Sequence, residues 1–139
     1  MDAEIKEKLE KGWIRCWSMI EVMAVGKDVT EEALKEHVKK IKKEKWIKIY
    51  KEKFEPAVET GNKIKDKDVY TQVVELEFIV KGFKELVDFV ILYGPSALEV
   101  LEPEKIEIKM GEAQETLNRI ATVLHNLTTA RLKEILLPK

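Results

Sequence analysis

The sequence predicts an α+β fold built on one antiparallel sheet, and three observations predict it. Val74, Leu76, Phe78 and Val80 alternate with Val73, Glu75, Glu77 and Ile79, the period-two pattern of a strand. Leu34, Val38 and Ile41 follow helical spacing, as do Phe83, Leu86, Val87, Val90 and Ile91. Gly12, Gly61-Asn62 and Gly94-Pro95 punctuate the chain between these patterns.

Taken in order, Asp2 to Lys11 forms a short helix that Asp2 can cap, with Ile5 and Leu9 on one face and Gly12 as the stop. "WIRCWSMIEVMA" is the first strand, Trp13 to Ala24. In the next helix Asp28 or Thr30 serves as N-cap, and the acids of the first turn and lysines of the last match the helix dipole. "WIKIYKEKFEP" is a second strand ending before Pro56, and "ETGNKIKDKD" (59–68) is a polar loop. "VYTQVVELEFIVKG" is the third strand, and "FKELVDFVILYGP" a helix with Gly94 at its C′ position. A fourth strand runs through "ALEVLEPEKIEI", bent at Pro103. The last helix carries a stripe of Ala113, Leu117, Ile120, Leu124 and Leu127. The stripe loses register at Arg131 and resumes at Leu132, Ile135 and Leu136. Right-handed crossovers turn this order into a ferredoxin-like βαββαβ sheet of four strands with both core helices on one face. The expectation is a single domain over 1–139: a terminal helix at 1–12, the core at 13–110 and the long helix at 111–137.

A chain of 139 residues fits one domain. Charge is high at 37% but balanced, with 25 basic and 26 acidic residues, much of it Lys and Glu, and only Gln72 and Gln114 as glutamines. Such a surface is the pattern of heat-adapted proteins and reads as thermophilic and archaeal. Cys16 is the sole cysteine, which excludes an intrachain disulfide and suits a reducing cytosol. No signal-peptide core and no run of ~18 apolar residues is present, so the expected location is cytoplasmic, with no membrane partner.

The first strand raises the functional question. Ile14, Cys16, Ser18, Ile20, Val22 and Ala24 suit packing beneath helices; Trp13, Arg15, Trp17, Met19, Glu21 and Met23 then face the open side of the sheet. Val73, Glu75, Glu77 and Ile79 of the third strand join them. A face holding two Trp, two Met and an Arg is too apolar to be left wet, and these residue types are enriched at interfaces. Its cover is one of the chain's own terminal helices, a second copy, or a small-molecule ligand. Trp13, Arg15, Trp17, Met19, Met23, Val73, Glu75, Glu77 and Ile79 are therefore the candidate interface or ligand-binding residues. Arg15 with Glu75 or Glu77 is in the first instance a cross-strand ion pair.

Lys35 to Lys53 holds nine lysines against three glutamates, with Trp46, Tyr50 and Phe54 interleaved. Lys39, Lys40, Lys42, Lys43, Lys45 and Lys48 form a basic surface of the kind that contacts phosphates, although the run lacks Arg and coincides with a helix C-terminus. Cys16 reads as an inert core residue, and His37 and His125 as surface or core-edge side chains without metal-ligand spacing. No nucleophile–base pair, metal set or phosphate loop stands out, so no catalytic residue, metal or cofactor is assigned.

"FKELVDFVILYGPSALEVLEPEKI" and the helix after it resemble the C-terminal extension of WYL-domain transcriptional regulators: a helix ending in a Gly-Pro turn, a "VLEP" strand and a terminal helix. The resemblance covers about 83–127 and implies a ferredoxin-like fold and a regulatory or associating module. Neither the winged helix nor the WYL core of those regulators is present. The whole chain also resembles a stand-alone archaeal family with "EAQETLN" opening its last helix, and no activity follows from that likeness. The expected function is a non-enzymatic, homo-oligomeric interaction or ligand-sensing module, a dimer first, acting through the Trp13/Trp17 face, the terminal helix, or both. The alternatives are an enzyme with an interface site around Arg15, Glu75 and Glu77, or a weak nucleic-acid binder using the Lys39–Lys53 surface.

Overall fold

The computed structural model describes residues 2–136, which fall into two compact units divided between Lys105 and Ile106. The first unit contains α1 (Ala3–Glu10), β1 (Ile14–Val25), α2 (Lys27–Lys42), β2 (Ile47–Phe54), β3 (Val58–Ile64), β4 (Lys67–Val80), α3 (Phe83–Tyr93) and β5 (Ala97–Glu102). The second contains α4 (Met110–Leu136). The chain is thus α+β with an antiparallel sheet and four helices.

β4 and β1 form the centre of the sheet, in the order β2-β4-β1-β5, and β3 pairs with β4 on the same side as β2. Twelve consecutive pairs, Ile14↔Val80 to Val25↔Val69, join β1 to β4 without a shift of register. An unbroken register keeps each side chain on one face. Ile14, Cys16, Ser18 and Ile20 accordingly lie buried on the helix side, and Ile14, Cys16 and Ile20 share one core cluster with Leu34, Val38 and Ile41 of α2 and Leu86 and Phe89 of α3.

The expected four strands are corrected to five. The segment 59–68 is a hairpin, not a loop: β3 and β4 meet at Lys65 and Asp66, whose φ of 52° and 64° make the two-residue turn that matches sheet twist. Gly61-Asn62 marks a shift of register within β3, between Glu59 and Lys63, where Gly61 takes a φ of 84°. Nearly every β3 side chain is exposed, so no buried face imprinted alternating hydrophobicity on it. Between β2 and β3 the edge breaks at Pro56, which has no N–H to donate. Buried Gln72 holds the break, its Nε2 donating to the Glu55 carbonyl at 2.9 Å.

Other expectations also change. Asp2 caps α1, accepting from the Ile5 N–H at 3.0 Å, but neither Asp28 nor Thr30 caps α2. Gly26, at a φ of 89°, leaves β1 directly into the helix. Thr30 is buried, with its hydroxyl donating to the Gly26 carbonyl at 2.8 Å. α3 buries Leu86 and Phe89 while Val90 is exposed. Most positions of α3 are apolar, so spacing could not choose its face; the contact of Phe89 with Phe78, ring centroids 4.7 Å apart, does. β5 ends at Glu102, before Pro103, and "IEI" (106–108) is not a strand.

Lys65 and Asp66 carry a Cβ in the left-handed region, a strain glycine lacks. Asp66→Gly should raise stability by about 0.5 kcal/mol, the relief exceeding the added unfolded-state entropy. Thermal unfolding checks this, and a lower midpoint would contradict the turn.

Candidate functional site

The face of the sheet opposite α2 and α3 carries the candidate residues, and two bulges shape it. In β2 the register shifts between Ile49 and Lys51, leaving Tyr50 unpaired. Ile49 stays on the helix side opposite Phe78, while Tyr50 and Lys51 both reach Glu77 on the open face. In β5 the shift falls between the partners of Arg15 and Cys16, so that Glu102 rather than Leu101 stands opposite Arg15. Bulges are a means of re-aiming a side chain. Here both aim at Arg15.

The outcome is an ion cluster across four strands. Arg15 Nε donates to Glu102 Oε2 at 2.9 Å, and Nη1 donates to the Tyr50 hydroxyl at 3.4 Å. Tyr50 donates to Glu77 Oε1 at 3.4 Å, while Lys51 Nζ lies 3.3 Å from Glu77 Oε2 and Arg15 Nη1 lies 4.0 Å from Glu77 Oε1. Tyr50, against partial desolvation and helped by Glu102, holds the guanidinium pKa above its ordinary value. The positive charge that would attract an anionic ligand is thus already engaged by two carboxylates. Sequence reasoning placed Arg15 and Glu77 on this face but missed Tyr50 and Glu102. Simple alternation puts Glu102 on the helix side, and nothing in the sequence marks either bulge.

One end of the face is covered from within the unit. Ile79 is fully buried, although it points away from the main core. α1 buries Ile5, pairs its Glu4 with Lys48 of β2, and sets Lys8 Nζ 4.3 Å from the Trp13 ring centroid. Lys48 stands opposite Ile79 in the ladder, which locates α1 over that end. Trp13, Arg15, Trp17, Met19, Val73, Glu75 and Glu77 are half-buried, and Met23 is 61% exposed. Trp17, Lys51, Lys53, Glu75, Leu76 and Glu77 line a cleft of about 190 Å³. Pockets for small organic ligands usually span roughly 300–1,000 Å³.

The basic run is divided. Lys39 pairs with Glu36 at 3.3 Å, Lys42 with Glu52 at 2.7 Å, and Lys48 with Glu4, while Lys40, Lys43 and Lys45 are exposed. Its aromatics do not stand out beside the lysines: Trp46 and Phe54 pack against the core and Tyr50 turns to Arg15. Burial pushes the Cys16 thiol up to about 12, with Arg15 opposing weakly. His37 Nε2 lies 2.9 Å from the Tyr93 carbonyl oxygen, and the two rings meet edge-on. Among the described residues no group of three or more His, Cys, Asp or Glu is placed to hold a metal, and no helix is long and apolar enough to cross a membrane.

α4 presents a second surface. Its stripe is exposed: Leu117 by 62%, Leu124 by 58% and Leu127 by 63%, with Ile120 and Leu132 also open. From Thr116 to Ala130, fifteen residues, Arg119 is the sole Asp, Glu, Lys or Arg, in a chain that is 37% charged. Charge depletion around exposed leucines is the composition of an interface core.

Two measurements test the sheet face. Replacing Arg15 by Met leaves Glu77 and Glu102 without their guanidinium, and should lower stability by about 1–2 kcal/mol; Tyr50→Phe should cost about 0.5. Denaturant titration reads both, and equal small effects would contradict the cluster. The raised thiol pKa predicts that Cys16 resists a thiol reagent in the native state and reacts once unfolded. Protonation of that thiol favours the fold, so its contribution is complete below pH 9 and declines as pH climbs towards about 12.

The model of the MJ0538 family matches residues 15–135. No curated protein and no solved structure matches the chain.

Proposed function

The chain belongs to the MJ0538 family, and within it we propose a non-enzymatic module that works by associating with further copies of itself. The observation that carries this reading is the exposed, charge-depleted leucine stripe of α4. A helix with such a stripe gains by burying it, and C₂ pairing is the commonest way for a soluble chain to do so.

The Trp13/Trp17 face has the lesser role. α1 takes part of the load expected of a neighbour, and the ion cluster satisfies the polar groups that a ligand would need. Its remaining apolar side chains, with Met23 the most open, suit a secondary contact. An enzyme site around Arg15, Glu75 and Glu77 has less support, since Arg15 is neutralised and the cleft is small. The parallel relation of β1 to β2, both antiparallel to β4 between them, supports reading the fold as ferredoxin-like, with β2 and β3 together as its second strand. The likeness of 83–127 to an extension of WYL-domain regulators supports an associating role.

Sedimentation at micromolar concentration should show a dimer whose melting temperature rises with concentration. Leu124→Glu should return it to a monomer with an intact far-UV spectrum, because Leu124 is exposed and its loss leaves no cavity. A wild-type monomer under these conditions would end the reading.

A further inference from the structure

The α4 stripe specifies how two copies meet. Ala113, Leu117, Ile120, Leu124, Leu127 and Arg131 recur at alternating steps of four and three residues along one uninterrupted helix. That mean period of three and a half is the period of a seam along which two helices wind around each other. The exposed flanking positions Ala121, Thr128 and Ala130 carry no charge, and Ala121 and Ala130 permit close approach.

We propose that α4 pairs with α4 of a second copy in antiparallel orientation, about a two-fold axis beside Thr122. This inference rests on the self-association argued above and adds its direction and register. The axis sets Leu117 of one copy against Leu127 of the other, Ile120 against Leu124, and Ala113 against Arg131, each contact made twice. All four large seam residues of each chain are then used, and the one charged seam position meets the smallest side chain. The ends are complementary as well. Glu112 and Glu115 make the N-terminal end of the seam acidic, while Arg131 and Lys133 outnumber Glu134 at its C-terminal end, so antiparallel pairing brings a net acidic end towards a net basic one. The two helix dipoles then oppose each other. A parallel pair would instead face Arg131 with Arg131 across the seam and place like charges at both ends. From Ala113 to Arg131 the seam runs roughly 27 Å at 1.5 Å per residue.

Cysteine cross-linking tests this in the full chain. Leu117→Cys and Leu127→Cys alter exposed positions, and one variant carries a mass tag so that mixed and like pairs separate on a non-reducing gel. Mild oxidation of the mixture should give the mixed 117–127 disulfide as the main product, with little cross-linking of either variant alone. Cys16, being buried, should stay out of the reaction. Like pairs dominating would establish a parallel seam and overturn the direction while leaving self-association standing. A dimer by sedimentation with no cross-link at either position would remove α4 as the contact. A monomer by sedimentation would overturn both this inference and the reading it rests on.

Discussion

The twelve-pair ladder between β1 and β4 is the constraint on which the rest of the first unit depends. Its register is uninterrupted, so it separates one row of β1 side chains beneath the helices from a second row on the far side. A slip of one residue would put Trp17 and Arg15 beneath α2 and α3 and turn Cys16 and Ile20 outward. Everything added to the sheet is referred to this pair: β2 and β3 take one flank of β4, and β5 takes the other flank of β1. The departures from regularity, at Tyr50, Gly61-Asn62 and Leu101, lie in flanking strands. There an extra residue bends the margin without disturbing the centre.

Much of this was legible where burial writes a pattern into the chain. Leu34, Val38 and Ile41 identify α2 and its buried side, and Val74, Leu76, Phe78 and Val80 identify the core row of β4, because each set contacts one apolar surface. Where burial is weak or uniform the pattern disappears. β3 is exposed on both faces, so polar residues there read as a loop. α3 is apolar almost all round, so its inward side depends on which aromatic meets Phe78. Lys51 and Glu102 escaped for another reason: a bulge changes the parity of a strand, and parity is all that alternation can report. Tyr50 keeps the parity of Lys48 and reads in the sequence only as part of the basic run.

The two apolar surfaces found outside the main core differ in chemistry. On the sheet, tryptophan and methionine sit among groups of both signs that already satisfy one another, and α1 shields part of the area. On α4, leucines stand along a stretch almost free of charge. Desolvating the first surface means removing water from half-buried ions, an unfavourable contribution that Coulomb attraction offsets only in part. Desolvating the second removes water mainly from hydrocarbon and carries far less of that opposing contribution. This difference favours the helix, rather than the face bearing Trp17, as the proposed principal contact.

The margins of the sheet give the pattern a further consequence. One margin is interrupted at Pro56, where β2 gives way to β3, and the other is the six-residue β5, which stops ahead of Pro103. Neither offers a foreign strand a long run of open N–H and C=O groups to zip against, so recruitment by strand addition, the route towards fibrils, is blunted on both sides. Encounters between chains are thereby left to side-chain surfaces, whose shapes can be selective and whose assemblies can close.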